Sequence, residues 1–515
     1  MLSFSIGVDL EIARLLLWGQ NSGLTTGQLD PRLTQNAETL KTRFGVDLIQ
    51  DEDGNNEPAP TGESVDILAL PLPVVRSSLA KYRATARDKA EKTGIISKYR
   101  WTLIDSDKAF SLLKEIKYFV DGLNQLLTES QKKSFDAEMT AMKLAILGTN
   151  WPHRCEALSA IETAASGSYE SIAVPARLAR LRLEEDMETV APTVTHNAHP
   201  ATASPLDLPD DLIQGPDSNR CLVRHAGKQI LIEWRVLLNN EAAGEMGKAR
   251  YEQAIRLVQL FKEVHKHKTQ YLIFDCLGLV DQRHHQPPRL GFAFGLPLSP
   301  SGGEPNPISL HDYLWEAQFK QFLPPLGERF ELARKIARGF LQFFQLGWYY
   351  KSISSHIIYF LPDGASWSVS DPYIMGFAYS RPQEKGTSDR QIRTDDLDLY
   401  QHPSYQCQGA PGHRLLYDIY SIGMVLFEIG TWRPIKAYFD RMKSEDRPLT
   451  NMIFGTKLMG REIANLEFRM GTHFKDAVST CLRGDFQTDD EVEGDLNLKL
   501  AYFEKVIKKL DLCRA

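Results

Sequence analysis

Apolar residues recur at helical spacing through the first part of the chain. After Trp101, the positions Phe110, Leu113, Ile116, Phe119, Val120, Leu123, Leu126 and Leu127 fall at three- and four-residue steps, which predicts one face of a helix. Asp105 and Asp107 stand at its start, where carboxylates satisfy free N–H groups and favour the helix dipole. Further helices are predicted over residues 10–19, 77–91, 134–147 and 154–165. On pattern alone, residues 1–183 form an all-α bundle with a Leu/Phe core.

The pattern breaks three times. Residues 51–64 (DEDGNNEPAPTGES) and 297–307 (PLSPSGGEPNP) read as loops, dense in Pro, Gly and polar residues. The longest break, 184–220, is rich in Pro, Asp and small residues and reads as a linker between domains. Beyond it the signal changes to strands. Residues 229–238 (QILIEWRVLL), 271–280 (YLIFDCLGLV) and 290–296 (LGFAFGL) are β-branched and aromatic. A helix over 248–264 separates the first two, and helical spacing returns from Ser309. The expected fold class is therefore multidomain: a helical bundle, then at 221–515 an α+β bilobal domain with a small strand-rich lobe before a larger helical one.

Composition narrows the chemistry. The 515 residues are 43% hydrophobic and 24% charged, the balance of an ordinary globular chain. A net charge of −6 gives no bulk attraction to nucleic acid, so none is expected as a partner. The six cysteines are scattered without a CxxC pair, which argues against zinc and for thiols in a reducing compartment. No apolar run reaches about 18 residues, and the start lacks a basic region ahead of its apolar one. A cytoplasmic location, peripheral to a membrane at most, is expected.

Four segments of the second domain, in order, resemble a protein kinase. Ile232–Leu237 (IEWRVL) resembles the kinase strand VAIKxL; Arg235 falls at the phosphate-binding lysine, with Glu233 the alternative register on the same strand face. A helix over 328–346 leads into YYKSISSHIIYF, where a kinase reads HRDLKPxNILL. Tyr350 replaces the histidine, Ser352 the aspartate that accepts the substrate proton, and Ile357 the asparagine that holds a magnesium. A serine is no general base at neutral pH, and isoleucine offers a hard cation no oxygen. VSDPYIMGF places Asp371 at the metal-binding aspartate, with Pro372 and Tyr373 for Phe and Gly; the plainer reading of Asp371 is a turn residue. YDIYSIGMVLFEIG resembles the core helix, and Asp418 takes the position that anchors the catalytic-loop backbone. His402, Pro403 and Ser404 stand where kinases carry APE. RHAGK, with its one glycine, gives no phosphate loop. The resemblance implies a pseudokinase with no catalytic residue, no metal and no cofactor. The enzyme alternative is a divergent phosphotransferase binding ATP through Arg235 and Asp371.

DLEIARLLLWGQNSGL and KYRWTLIDSDKAFSLLKEIKYFVDGLNQLL in the first domain resemble the fungal HeLo domain, also called the prion-inhibition and propagation domain. The second half is similar to the kinase-like domain often fused to it, in SDPYIMGFAYSRP, DLYQHP and FRMGTHFKDAVSTCLRGDF. The resemblance implies a signalling role in heterokaryon incompatibility or regulated cell death, with protein partners and self-association. A membrane-active executioner is a further alternative. Only eight residues precede Asp9, where HeLo domains carry some tens, so either the start codon is mis-assigned or the membrane-acting segment has been lost, and no killing activity is expected of the chain as written.

Other polar clusters have plain readings. His265 and His267 suit a helix C-terminus, where positive charge is favoured. Lys89, Lys92, Lys98 and Arg100 form a solvated face, or one that meets an acidic membrane surface.

Overall fold

The computed structural model describes residues 2–22, 114, 117–118, 120–148, 154–166, 169–188, 206, 220–267, 271–297, 306–320, 323–351, 353–361, 369–378, 381–382, 395–406, 412–445, 451–486 and 494–515. The chain divides into two compact units, Met1–Arg180 and Leu181–Ala515. The helix predicted over 77–91, the loop 51–64, the basic residues at 89–100 and Ser352 lie outside the described residues.

The first unit is helical. Its elements are α1 (Leu2–Asn21), α2 (Glu129–Gly148), α3 (Arg154–Ala165) and α4 (Glu170–Glu188). Leu10, Ala13, Leu17 and Trp18 of α1 are buried, and the Trp18 indole donates to the Leu123 carbonyl at 2.9 Å. Val120, Leu123 and Leu127 of the predicted helix are buried with them. Arg14 joins Glu11, Asp121 and the Tyr169 hydroxyl, and Tyr169 in turn donates to Glu11. Burial works against the Arg14 charge, but its acidic neighbours outweigh burial and hold the guanidinium above its ordinary pKa. Helix α4 reaches Glu188, into the segment that composition marks as linker.

The second unit begins with a four-stranded antiparallel sheet of order β1-β2-β4-β3. The strands are β1 (Arg220–His225), β2 (Lys228–Val236), β3 (Asp275–Gln282) and β4 (Arg289–Gly295). RHAGK is a two-residue hairpin: Ala226 and Gly227 both take positive φ, as such a turn requires, and His225 pairs with Lys228. Helix α5 (Gly244–His265) follows β2 and packs on β3 and β4. The sheet buries two layers. Val223, Ile230, Ile232, Trp234, Val280 and Ala293 form one, which Leu206, from the predicted linker, covers. Leu206 also donates its N–H to the Leu279 carbonyl at 2.8 Å.

The apolar run 271–280 is not one strand. β3 starts at Asp275, and Tyr271, Ile273 and Phe274 form a buried connector. Phe274 stacks on Tyr373 at 4.0 Å and Tyr271 meets Phe343 edge-on. A fully buried apolar run carries no periodicity to separate the two outcomes.

Helices dominate the rest: α6 (Leu310–Lys320), α7 (Leu326–Gln345), α8 (Leu415–Thr431), α9 (Ile435–Glu445), α10 (Asn451–Lys457), α11 (Ile463–Arg483), α12 (Gly494–Tyr502) and α13 (Lys508–Leu512). Phe330, Ala333, Ile336, Ala337, Phe340, Leu341 and Phe344 of α7 are all buried. Each large side chain among them contributes roughly 1.5–3 kcal/mol. α8 is buried on every side and lies against α11, closely enough that a Cβ at Gly423 would stand 2.7 Å from that of Cys481. Short strands β5 (Ile308–Ser309), β7 (Ile358–Phe360) and β8 (Tyr373–Ile374) form a second sheet; β6 (Trp348–Tyr349) pairs with β9 (Arg381–Pro382). The unit is thus mixed α/β with antiparallel sheets. Among the described residues, no helix is long and apolar enough to cross a membrane, and no group of three His, Cys, Asp or Glu residues could hold a metal ion.

Candidate functional site

Of the residues singled out from sequence, Tyr350, Ile357, Asp418 and Glu233 meet around the ends of the segment Tyr350–Ile357 and the turn that follows β8. Asp418 fixes the first of these. Its side chain is buried on α8, and its two oxygens accept the N–H groups of Tyr350 (2.8 Å) and Lys351 (2.9 Å). Lys351 takes a φ of 64°, a left-handed conformation that costs a side-chain-bearing residue about 1–2 kcal/mol. The charge-assisted bonds to Asp418 hold it there. His413 meets the same carboxylate, with Nε2 3.0 Å from Oδ1.

Tyr350 projects inward, fully buried against Phe340, Phe343 and Phe377. Burial, then the negative charges of Glu233 and Asp418, push its hydroxyl well above the usual tyrosine range, so it stays neutral. Phe377 is the hub of this packing. Its ring lies 4.5 Å from Phe261 of α5, 5.5 Å from Phe343 of α7 and 5.6 Å from Tyr350. One column of rings therefore joins the helix behind the sheet to the helical part.

On β2, Glu233 and Arg235 share a face and both are buried. Of the two registers read from sequence, it is Glu233 that reaches the turn after β8. Its carboxylate, 3% exposed, accepts N–H groups from Gly376 (3.0 Å) and Phe377 (2.9 Å) and pairs with Arg220 of β1 (2.8 Å). Arg220 also donates to the His356 carbonyl at 3.0 Å and lies over the Tyr359 ring. Burial lowers the pKa of Arg220, but Glu233 and Tyr359 more than compensate, and it stays charged.

Asp371 lies apart from this cluster: its side chain is 84% exposed, 3.6 Å from Lys335 of α7. The residue against the Ile357 side chain is Gly376. A Cβ there would stand 3.0 Å from the Ile357 side chain, and Met375 donates its N–H to the Ile357 carbonyl at 2.8 Å. A hard cation needs several oxygen ligands, and this position offers no side-chain oxygen. Arg220, Gly376, Phe377 and Phe261 are site residues that sequence reading passes over. The one available signal was the short apolar run before MGF, which marks β8.

Beside the site, Ser355 and Tyr400 exchange a hydrogen bond, and Tyr400 donates to Glu428 of α8 at 2.7 Å. His311 and His356 stack at 3.8 Å. Burial first, then His311 and Arg220, lower His356 to about 3, so the imidazole is neutral.

Two family models match the chain. Residues 3–150 match the HeLo model, described as prion-inhibition and propagation. Residues 252–513 match a model described as Domain of unknown function (DUF7580). No curated protein matches it.

Proposed function

The chain belongs to the DUF7580 family, and from that premise we propose that it is a non-catalytic fungal signalling protein, a HeLo-type domain coupled to a degenerate protein-kinase-like domain at 221–515. The HeLo match supports a signalling role of the fungal cell-death or incompatibility type; a cytoplasmic setting, protein partners and self-association belong to the same proposal.

The observation that carries the non-catalytic reading is the pairing of Ile357 with Gly376. In kinases the metal ions are held jointly by the catalytic-loop asparagine and the aspartate of DFG, so those two positions must face each other. Here an isoleucine faces a glycine. Met375-Gly376-Phe377-Ala378 then falls in register with x-Asp-Phe-Gly, and the phenylalanine is kept for packing. The strand order helix-then-strands around α5, the loop anchored by Asp418 and the tight turn in place of a phosphate loop support the same reading. A scaffold of this kind transmits a signal by whom it holds.

The test is ligand binding and transfer by the purified full chain. Millimolar ATP, with or without magnesium, should leave the thermal midpoint unchanged, because only a ligand that binds the native state raises it. ATP-dependent phosphoryl transfer to any acceptor would overturn the reading.

A further inference from the structure

The Glu233 carboxylate is held as proteins hold bound anions. Its donors converge from three places: the Arg220 guanidinium at 2.8 Å and 3.2 Å, the Gly376 N–H at 3.0 Å and the Phe377 N–H at 2.9 Å. Gly376 takes a φ of 94°, the left-handed turn that aims successive N–H groups at one point and makes an anion nest. Arg220 is fixed independently of Glu233, by the His356 carbonyl and the Tyr359 ring. Two of the donors are backbone groups, which no rotamer change can withdraw. The receptor therefore has a shape of its own, and its occupant arrives from a strand more than a hundred residues earlier.

We propose that Arg220 and the N–H groups of Gly376 and Phe377 form an oxyanion site, suited to a carboxylate or phosphoryl group, and that Glu233 is its resident occupant supplied by the chain itself. A tethered occupant has an effective concentration that a free anion does not match, so the native site is closed to outside ligands. The sheet is thereby clasped to the turn after β8 with no small molecule bound. The inference stands on these hydrogen bonds and holds whether or not the unit is kinase-like.

The experiment uses the full chain, inorganic phosphate and acetate, with chloride at matched ionic strength as the control. The wild-type thermal midpoint should be the same in all three. Glu233→Ala should melt lower in chloride and recover several degrees in phosphate or acetate, and adding Arg220→Gln should abolish the recovery. A folded Glu233→Ala chain that ignores both anions overturns the proposal, as does a wild-type chain that responds equally. If Glu233→Ala is recovered unfolded, hydrogen exchange decides. The Gly376 and Phe377 amides should be protected in the wild type and exchange about tenfold faster or more in Arg220→Gln. Unprotected amides in the wild type, or protection indifferent to Arg220, overturn it.

Discussion

Glu233, on β2, and Glu428, in the last turn of α8, are both withdrawn from water, and their surroundings offer them different donors. Glu233 has a guanidinium and two backbone N–H groups on its oxygens. Glu428 has the Tyr400 hydroxyl and the Ile435 N–H, both on Oε1, while Oε2 finds no partner among the described residues. Burial outweighs those two bonds and pushes Glu428 up to about 7. The contrast teaches that the donors around a buried carboxylate, and not burial alone, decide what it does. A neighbouring cation makes one glutamate a clasp, and its absence makes the other a group poised between two protonation states.

The most damaging way to break the comparison is Glu233→Ala. Removing one partner strands Arg220 as a buried charge, and unfolding by urea should show a loss of about 3–5 kcal/mol.

Next comes pH, with opposite signs at two residues. Glu428 has a raised folded pKa, so its contribution is full below about 4.5 and is lost as pH rises through about 7. His356 has a depressed one, so its contribution is full above about 6.5 and is lost as pH falls toward about 3. Between 4.5 and 6.5 the two slopes oppose each other. Glu428→Gln should gain about 3 kcal/mol over the wild type at pH 8 and none at pH 4, since each tenfold change in proton affinity is worth about 1.4 kcal/mol. His356→Asn should remove the opposite slope, leaving stability to fall as pH rises from 4.5 to 7. Denaturant midpoints across the acid-to-neutral range check both.

A smaller effect is expected at Asp418→Asn, which turns one acceptor into a donor facing a backbone N–H. It should cost about 1–2 kcal/mol and raise exchange at the Tyr350 and Lys351 amides. Asp371→Asn should be smallest, within about 0.5 kcal/mol by the same measurement, because the side chain is exposed and meets only a screened lysine.

How much of this was legible depended on range. The 3.6-residue repeat placed α7 to within a few residues, since that helix advertises its own buried face; α8, buried on every side, carries no such repeat and was read from its motif. Asp418 drew attention as the one acidic residue in the first turn of a largely apolar helix, and its carboxylate holds the Tyr350 and Lys351 N–H groups. The exposed setting of Asp371 was harder to read, because DP mimics a short motif and β8, which follows it and runs beside β7, is only two residues long. Arg220, Glu233 and Gly376 could not be joined by reading: 13 and 143 residues separate them, and no local pattern encodes that meeting.

The clasp has a consequence for how the sheet assembles. Side chains alternate along β2, with Glu233 on one face and Trp234 on the other. A one-residue slip against β1 or β4 would send the carboxylate to the Trp234 side and leave Arg220 buried with no counter-charge. Apolar neighbours such as Leu231 and Ile232 tolerate either face, so hydrophobicity discriminates weakly between the two alignments. A single acidic residue, placed mid-strand, lets the chain proofread its own pairing.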